Sequence, residues 1–300
     1  MGRVATAATV AASAWTVVHH RSPAVRRWQR PDQPIGRHGP LSYRCGGPED
    51  AEIGVVLLHG LVATGDVFGI APTLLGGQHR VLVPDLLGFG RSLDEQRTDF
   101  SVAAHLEALE DLITSTLGDR RIRVGAHSMG SALALHWAAA HRDRVDRVVC
   151  IGPTIWADPA AARAGLGELG PMGRALALDG RIAQAVCSFN CRHRAIAGLL
   201  SAAIAVSWPI PIARQASLHT WPAYRHAVED LIIDCPWSEL LRSLAEASVP
   251  VSLIRGADDP VGDPAAIRSL ADRFGIETTV VEGDHSLPAS HPTLLVDALR

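Results

Sequence analysis

The stretch of sequence that decides the fold reads Ile122-Arg123-Val124-Gly125-Ala126-His127-Ser128-Met129-Gly130-Ser131-Ala132-Leu133. β-Branched residues approach Ser128, and the alanine-rich residues 132–140 behind it favour a helix. A strand, a sharp turn and a helix are what a nucleophile elbow requires, because the serine hydroxyl then stands exposed at a strained turn. The motif is small-x-Ser-x-Gly, with Ala126 where glycine is usual, and such a short match alone is more often structural than catalytic. The rest of the chain has to supply the partners of Ser128.

The composition indicates a globular α/β protein without a polyanionic partner. The chain has 300 residues, of which 47% are hydrophobic, enough for one domain with an insertion. Its formal net charge is −3 and no basic run is interleaved with aromatic residues, so we predict no nucleic-acid partner.

The cysteines predict neither a disulfide framework nor a metal site. Five of them are scattered along the chain, an odd number that fits a reducing, cytoplasmic location. Cys187, Cys191 and His193 lie close together in the sequence, but their spacing matches no standard zinc pattern. We interpret the cysteines as small buried thiols.

Residues 1–40 are interpreted as an N-terminal segment and a linker. The apolar run over residues 4–18 is short for a membrane span, which needs about 20 residues. We expect a docked or frayed helix there, with a weak membrane anchor and a cleaved signal as alternatives. Residues 30–40 contain several prolines and glycines and are predicted to link this segment to the fold. The expected location is cytoplasmic, with membrane association through residues 4–18 as the alternative.

Strands and helices alternate over most of the remaining chain. Apolar runs predict strands at residues 53–58, 80–84 and 145–151, in addition to the elbow strand and an edge strand at 41–44. Helical spacing between them implies βαβ units and a mostly parallel sheet of about eight strands with helices on both faces. Residues 154–236 are instead rich in helix-favouring sequence, and strand patterns return at 249–255 and 277–282. We therefore predict a core at 41–153 and 237–300 and a helical cap at 154–236.

Three chemically complementary side chains follow three of the predicted strands. Ser128 follows the elbow strand, Asp259 follows strand 249–255, and His285 follows the last strand. Ligands of a parallel α/β sheet bind beyond the carboxyl ends of its strands, so these side chains should meet at one edge. A serine hydroxyl needs a base to take its proton, histidine titrates in the right range, and a buried carboxylate orients the imidazole.

The chain resembles the α/β-hydrolase superfamily, in the branch with a helical cap after the sixth strand. The resemblance covers residues 41–300 and is carried by five motifs in order: His59-Gly60, Asp85-Leu86-Leu87-Gly88-Phe89-Gly90-Arg91-Ser92, Ala126-His127-Ser128-Met129-Gly130, Gly256-Ala257-Asp258-Asp259-Pro260 and Gly283-Asp284-His285-Ser286-Leu287-Pro288. It implies that Ser128 is the nucleophile, Asp259 the acid and His285 the base. It also implies that the backbone N–H groups of Leu61 and Met129 form the oxyanion hole, and that no metal or organic cofactor is required.

Other residues near these motifs compete for the same roles. Asp258 is adjacent to the expected acid, and some relatives place the acid after the sixth strand, where Asp158 is the nearest candidate. His59 is expected to brace the oxyanion loop. The side chain of His127 is expected to point away from the chemistry. Asp85 and Arg91 are expected to hold the loop in which they lie.

The resemblance implies hydrolysis of an ester or related acyl bond through an acyl-enzyme. A serine excludes the dehalogenase and epoxide-hydrolase branches, whose nucleophile is an aspartate. Carbon–carbon bond hydrolysis of ring-cleavage products and perhydrolysis use the same triad and stay open, as does a non-catalytic binding protein. An apolar cap predicts an apolar small-molecule substrate. Residues 196–212 are expected to pack on the core and line the pocket, with a lipid-contacting patch as the alternative.

Overall fold

A computed structural model describes residues 15–169 and 180–300 of the chain. Within these residues one sheet has eight strands in the order β1-β2-β4-β3-β5-β6-β7-β8. The strands β1 and β2 pair antiparallel with each other, β2 is also antiparallel to β4, and all other pairs are parallel. Their bounds are β1 Ile35–His38, β2 Leu41–Gly46, β3 Ile53–Leu58, β4 Arg80–Pro84, β5 Arg121–His127, β6 Val145–Ile151, β7 Val251–Gly256 and β8 Glu277–Val281. The predicted mostly parallel eight-stranded sheet is confirmed.

The first strand corrects the prediction of a linker at residues 30–40. Residues Ile35–His38 pair along their whole length with β2, so part of the proline- and glycine-rich stretch belongs to the sheet. Gly36 leaves room for the ring of Tyr43 on β2, since a Cβ atom at this position would lie 2.7 Å from that ring.

Helices cover both faces of the sheet. They are α1 Pro23–Arg27, α2 Ala71–Leu75, α3 Val102–Leu117, α4 Met129–Ala140, α5 Pro159–Glu168, α6 Gly180–Arg192, α7 Arg194–Ile204, α8 Ile210–Gln215, α9 Trp221–His226, α10 Trp237–Glu246, α11 Pro264–Phe274, α12 Leu287–Ser290 and α13 Pro292–Leu299. A π-helix, Ala227–Ile233, follows α9, and short 3₁₀ helices occur at Gly65–Phe68 and Gly90–Ser92.

Two buried apolar clusters lie on opposite faces of the sheet. One contains Leu133 and Trp137 of α4, which pack with residues of α3 and α10. The other contains Phe68, Leu295 and Leu299. Gly125 on the central strand permits this second layer, because a Cβ there would lie within 3 Å of Leu295 and Leu299. Because closely packed side chains cover both faces of the central strands, the carboxyl ends of these strands are held in fixed positions.

In its described part, the chain between β6 and β7 contains the helices α5 to α10 and the π-helix, and His219 forms an isolated antiparallel β-bridge with Phe89. This segment was predicted to be helical. The boundaries given to a cap, residues 154–236, stay a prediction. The last helix of the segment, α10, packs against α4 of the core.

Helix α7 corrects the expectation that residues 196–212 pack on the core. Ile212 is buried, but the large side chains of Ile196, Leu199, Leu200 and Ile204 are exposed. The residues of α7 that turn inward are Ala197 and Gly198 instead. The helix is amphipathic, and its larger apolar side chains face outward.

Helical residues 15–21 pack beside this helix. The indole N–H of Trp15 donates to the carbonyl of Ala203 at 3.0 Å, and the hydroxyl of Ser22 donates to the carbonyl of Ser207 at 2.5 Å. These contacts agree with the predicted docked helix, although residues 4–14 of the predicted run lie outside the described residues. None of the described helices is both long and apolar enough to cross a bilayer.

Candidate active site

Ser128 occupies a strained turn between β5 and α4. Its φ of 56° and ψ of −127° lie in a region that residues with a Cβ rarely adopt, and such strain costs of order 1–3 kcal/mol. Ala126 is fully buried on the strand side of the turn. Gly130 is required on the helix side, because a Cβ there would lie 2.5 Å from the carbonyl oxygens of Leu58 and His59. The predicted strand, turn and helix around Ser128 are present.

The structure brings the three predicted side chains together in one hydrogen-bonded chain. His285 Nε2 lies 2.9 Å from Ser128 Oγ, and His285 Nδ1 lies 3.0 and 2.9 Å from the two carboxylate oxygens of Asp259. A carboxylate only accepts, so the Nδ1–H of His285 donates to Asp259, and Nε2 is left to accept the proton of the serine. This tautomer is the one that a general base needs.

The environment of Asp259 keeps its carboxylate ionised. Burial by itself raises the pKa of this group, but the hydrogen bond and charge of His285 and the backbone N–H of Val261 hold the pKa below its ordinary value. Gly152, at the end of β6, leaves room for the pair, since a Cβ there would lie 2.9 Å from the Asp259 carboxylate. No sequence motif indicates this role of Gly152, because it depends on how β6 packs beside the loops that carry Asp259 and His285.

The two competing aspartates lie elsewhere. Asp258 is exposed to solvent. Asp158 is also exposed, and its carboxylate caps α5 by accepting the N–H of Ala161 at 2.8 Å. Of these three aspartates, only Asp259 hydrogen-bonds to His285.

The loop after β3 passes directly over the serine. A Cβ at Gly60 would lie 2.8 Å from Ser128 Cβ and 3.3 Å from its Oγ, so only glycine allows this approach. Leu61 follows in the same loop, and Met129 is the first residue of α4. Both amides therefore belong to segments next to Ser128, while their role as oxyanion donors stays a prediction.

His59 connects this loop to the loop after β4. Its Nε2 accepts the N–H of Leu86 at 2.8 Å, so its Nδ1–H donates to the carbonyl of Gly60, also at 2.8 Å. Burial lowers the pKa of His59, which keeps the ring neutral. The geometry agrees with the predicted bracing role.

A buried ion-pair network contacts the loop after β4, which contains Asp85 and Arg91. Asp66 accepts from Arg44 at 2.8 Å, from Arg91 at 2.5 Å and from the Gln215 amide of α8 at 2.9 Å. Burial raises the pKa of Asp66, but these three hydrogen bonds outweigh it and the net pKa is lowered. Arg91 also binds Asp85 at 3.1 Å, as expected for residues that hold their loop.

His127 was predicted to point away from the chemistry, and this is wrong. Its Nε2 lies 2.9 Å from the backbone carbonyl of His285, and the two rings pack with centroids 4.7 Å apart. Its Nδ1 is buried without a hydrogen-bond partner. Burial, and then the nearby charge of His285, lower the pKa of His127 to about 3. No sequence pattern signals this contact, because the orientation of the side chain depends on the strained turn.

Comparison with known proteins identifies the family. A family model described as alpha/beta hydrolase fold matches residues 54–292, most of the chain. The chain belongs to the α/β-hydrolase family. The fold and resemblance predicted from sequence are thereby confirmed.

Individual relatives of this α/β hydrolase are distant. The magnesium-chelatase 30 kDa subunit of Rhodobacter capsulatus is 30% identical over 270 residues, 89% of each chain. The probable lysophospholipase BODYGUARD 5 of Arabidopsis thaliana is 26% identical over 256 residues, which cover 77% of this chain and 57% of that one. The match to an uncharacterised protein of Mycobacterium tuberculosis, 33% identical over 97 residues, covers 32% of this chain and only 28% of that protein.

Solved structures agree on the fold. The enol-lactonase from Burkholderia xenovorans superposes with a TM-score of 0.61 at 20% sequence identity, covering 88% of this chain and 98% of the lactonase. At this identity the similarity concerns the fold alone.

Proposed function

We propose that this α/β hydrolase is a serine hydrolase that cleaves a carboxylic ester, or a related acyl bond, of an apolar small molecule. The observation that carries the proposal is the hydrogen-bonded chain from Ser128 through His285 to Asp259, with both imidazole nitrogens engaged at about 2.9 Å. A serine of ordinary pKa is a weak nucleophile, and a base within hydrogen-bond reach removes that limit.

In the first half of the reaction, Ser128 Oγ attacks the carbonyl carbon of the ester. Its proton passes to His285 Nε2, and the Asp259 carboxylate stabilises the imidazolium that results. The amides of Leu61 and Met129 donate to the oxyanion, an effect worth about 3–4 kcal/mol for each donor. His285 then gives its proton to the leaving alcohol as the tetrahedral intermediate collapses to an acyl-enzyme.

In the second half, a water molecule replaces the alcohol. His285 Nε2 takes one proton from the water as its oxygen attacks the acyl carbon of the ester on Ser128. The proton returns to Ser128 Oγ when the bond between serine and acyl group breaks. The products are the carboxylic acid and the free serine, so the cycle needs no metal or organic cofactor.

Two features support an apolar acyl or alcohol group. The segment between β6 and β7 is rich in Ala, Leu, Ile and Trp, and Trp221 of α9 packs against the main buried cluster. The relative from Arabidopsis is named a probable lysophospholipase, whose substrates would be acyl esters with an apolar chain.

A second candidate function follows from the Rhodobacter relative. The Rhodobacter protein is named as a subunit of a magnesium chelatase, and the match covers 89% of both chains. This favours a hydrolase-fold chain that acts as part of a complex without turnover of its own.

Active-site labelling separates the two candidates. A fluorophosphonate should label folded wild-type protein stoichiometrically and should not label Ser128→Ala. A screen over esters, lactones, thioesters and ring-cleavage dienones, with Ser128→Ala as the blank, then identifies the bond. Absence of labelling in folded protein would contradict the proposed serine hydrolase and favour the candidate that acts in a complex without turnover.

A further inference from the structure

Helix α7 presents an apolar face to solvent. Ile196, Leu199, Leu200 and Ile204 are exposed by 53%, 60%, 50% and 68%, and their spacing puts them on one side of the helix. In a helix that only packs on a core, the large apolar residues turn inward. Here the small Ala197 and Gly198 turn inward, so the outer face of α7 is available to a partner.

Two neighbouring helical segments extend this face. Ala203 lies on the same side of α7, and its carbonyl accepts the indole N–H of Trp15, which brings residues 15–21 beside it. Val17 and Val18 in that segment are both about half exposed. At the other end, Phe189 of α6 is exposed and its ring contacts that of His193, the residue before α7. We call the exposed side chains of these three segments the outer apolar surface; they are Val17, Val18, Phe189, Ile196, Leu199, Leu200 and Ile204.

The two sequence ranges that contain these segments carry positive charge without any carboxylate, and the acidic side chain of Glu95, from another segment, pairs with Arg194 at the start of α7. Residues 1–31 contain five arginines, residues 180–228 contain five more, and neither range contains an Asp or Glu. Because the whole chain carries a net charge of −3, these two ranges carry +10 and the remaining residues carry −13. Arg192 is exposed at the end of α6, next to the outer apolar surface. A second copy of the chain would bring two positive surfaces together, which disfavours a symmetric dimer through this face.

We propose that the outer apolar surface docks this protein on a bilayer that contains anionic phospholipid. Apolar side chains on one face of a short helix insert at the boundary of headgroups and acyl chains, while nearby arginines attract the anionic headgroups. At about 1.5 Å per residue the eleven residues of α7 span roughly 16 Å, which suits a helix lying in the interface. The proposal concerns binding and does not depend on the proposed hydrolysis.

Vesicle flotation with the full chain tests this docking. Wild-type protein should float with vesicles of phosphatidylcholine and phosphatidylglycerol, and much less with phosphatidylcholine alone. Leu199→Glu should weaken binding to the anionic vesicles at least about tenfold, because it removes an inserting side chain and adds a negative charge. Val280→Glu, at a position on β8 that is 62% exposed, is the matched control and should bind like wild type.

Arg192→Glu tests whether the positive charge beside the surface contributes to vesicle binding. Arg242→Glu, at another exposed position on α10, is its control. Arg192→Glu should weaken binding to anionic vesicles more than Arg242→Glu does, and the difference should shrink at high salt. An unchanged thermal midpoint and an unchanged far-UV circular dichroism spectrum show that each variant is folded. If Leu199→Glu does not fold, Ile204→Ser takes its place.

Three results would overturn the proposal. If wild-type protein fails to float with anionic vesicles, an anionic bilayer is not its partner. If Leu199→Glu and Val280→Glu bind the vesicles equally, the outer apolar surface is not the part of the protein that docks. A wild-type dimer that Leu199→Glu converts to a monomer, without vesicle binding, assigns the surface to a second copy instead.

Discussion

His127 Nε2 lies 2.9 Å from the backbone carbonyl oxygen of His285, so the residue before the proposed nucleophile contacts the loop that carries the proposed base. Because burial lowers the pKa of His127 to about 3, its ring is neutral and its Nε2–H donates to that carbonyl. Neutrality matters for the proposed reaction, since a second positive charge would oppose the imidazolium that the proposed acylation forms on His285.

This contact predicts that His127 is a positioning residue. His127→Phe should lower kcat about fivefold with little change in KM, because one neutral hydrogen bond of about 1 kcal/mol no longer orients His285. His127→Gln, which keeps a side-chain N–H donor, should recover part of kcat. Steady-state kinetics on a p-nitrophenyl ester check both variants.

The matched control is His136→Phe, on α4 outside the site. It should leave kcat close to the wild-type value. Equal losses in the two Phe variants, or no recovery in His127→Gln, would mean that His127 acts only through general stability.

The acid assignment gives a second prediction. Asp259→Asn should lower kcat by about 10⁴, because an amide cannot hold His285 in the tautomer that accepts the serine proton. Asp258→Asn should stay near wild type, since Asp258 is exposed and outside the hydrogen-bonded chain. Asp158→Asn should too, because asparagine can also cap α5. A larger loss in either control than in Asp259→Asn would contradict the assignment.

Sequence patterns predicted the elements of the sheet and the meeting of Ser128, Asp259 and His285. They could do so because hydrophobic periodicity is local, and because side chains that follow parallel strands share one edge. The strand β1 was missed, since four residues in a stretch of prolines and glycines gain their structure only from pairing with β2.

Long-range contacts and orientations were beyond the sequence. The bonds from Asp66 to Arg44, Arg91 and Gln215 join residues far apart in the chain, and no local pattern encodes them. The spacing in α7 indicates which residues share a face, but not that this face points to solvent, because that depends on how the helix packs. The contact of His127 with His285 likewise depends on the strained turn.

Three buried histidines predict that the protein loses stability in mild acid. Burial lowers the pKa values of His105, His127 and His219 to about 3, 3 and 4. The unfolded chain binds a proton at each near pH 6.5, whereas the folded chain binds none until much lower pH. Stability therefore falls as pH drops from about 7 toward 4, by up to about 2 kcal/mol for each histidine at pH 5.

Urea unfolding at pH 7 and pH 5 measures this loss. His105→Gln, which removes one of the three titrating groups, should reduce the difference in unfolding free energy between the two pH values by about 1–2 kcal/mol. His193→Gln, at an exposed position, should leave the difference unchanged. A pH dependence that is the same in both variants and in wild type would mean that His105 titrates alike in both states.

The strained backbone at Ser128 predicts that relieving the strain raises the free energy of unfolding, while loss of the hydroxyl abolishes activity. Glycine adopts φ 56°, ψ −127° without the clash that a Cβ causes, so Ser128→Gly should raise the free energy of unfolding by about 1 kcal/mol relative to Ser128→Ala. Alanine keeps the Cβ and the strain, which makes it the matched control, and both variants lack the hydroxyl and should be inactive. Thermal and urea unfolding compare the two. If Ser128→Gly is no more stable than Ser128→Ala, the turn stores no strain that the backbone can release, and the position of the proposed nucleophile is held at no cost to the fold.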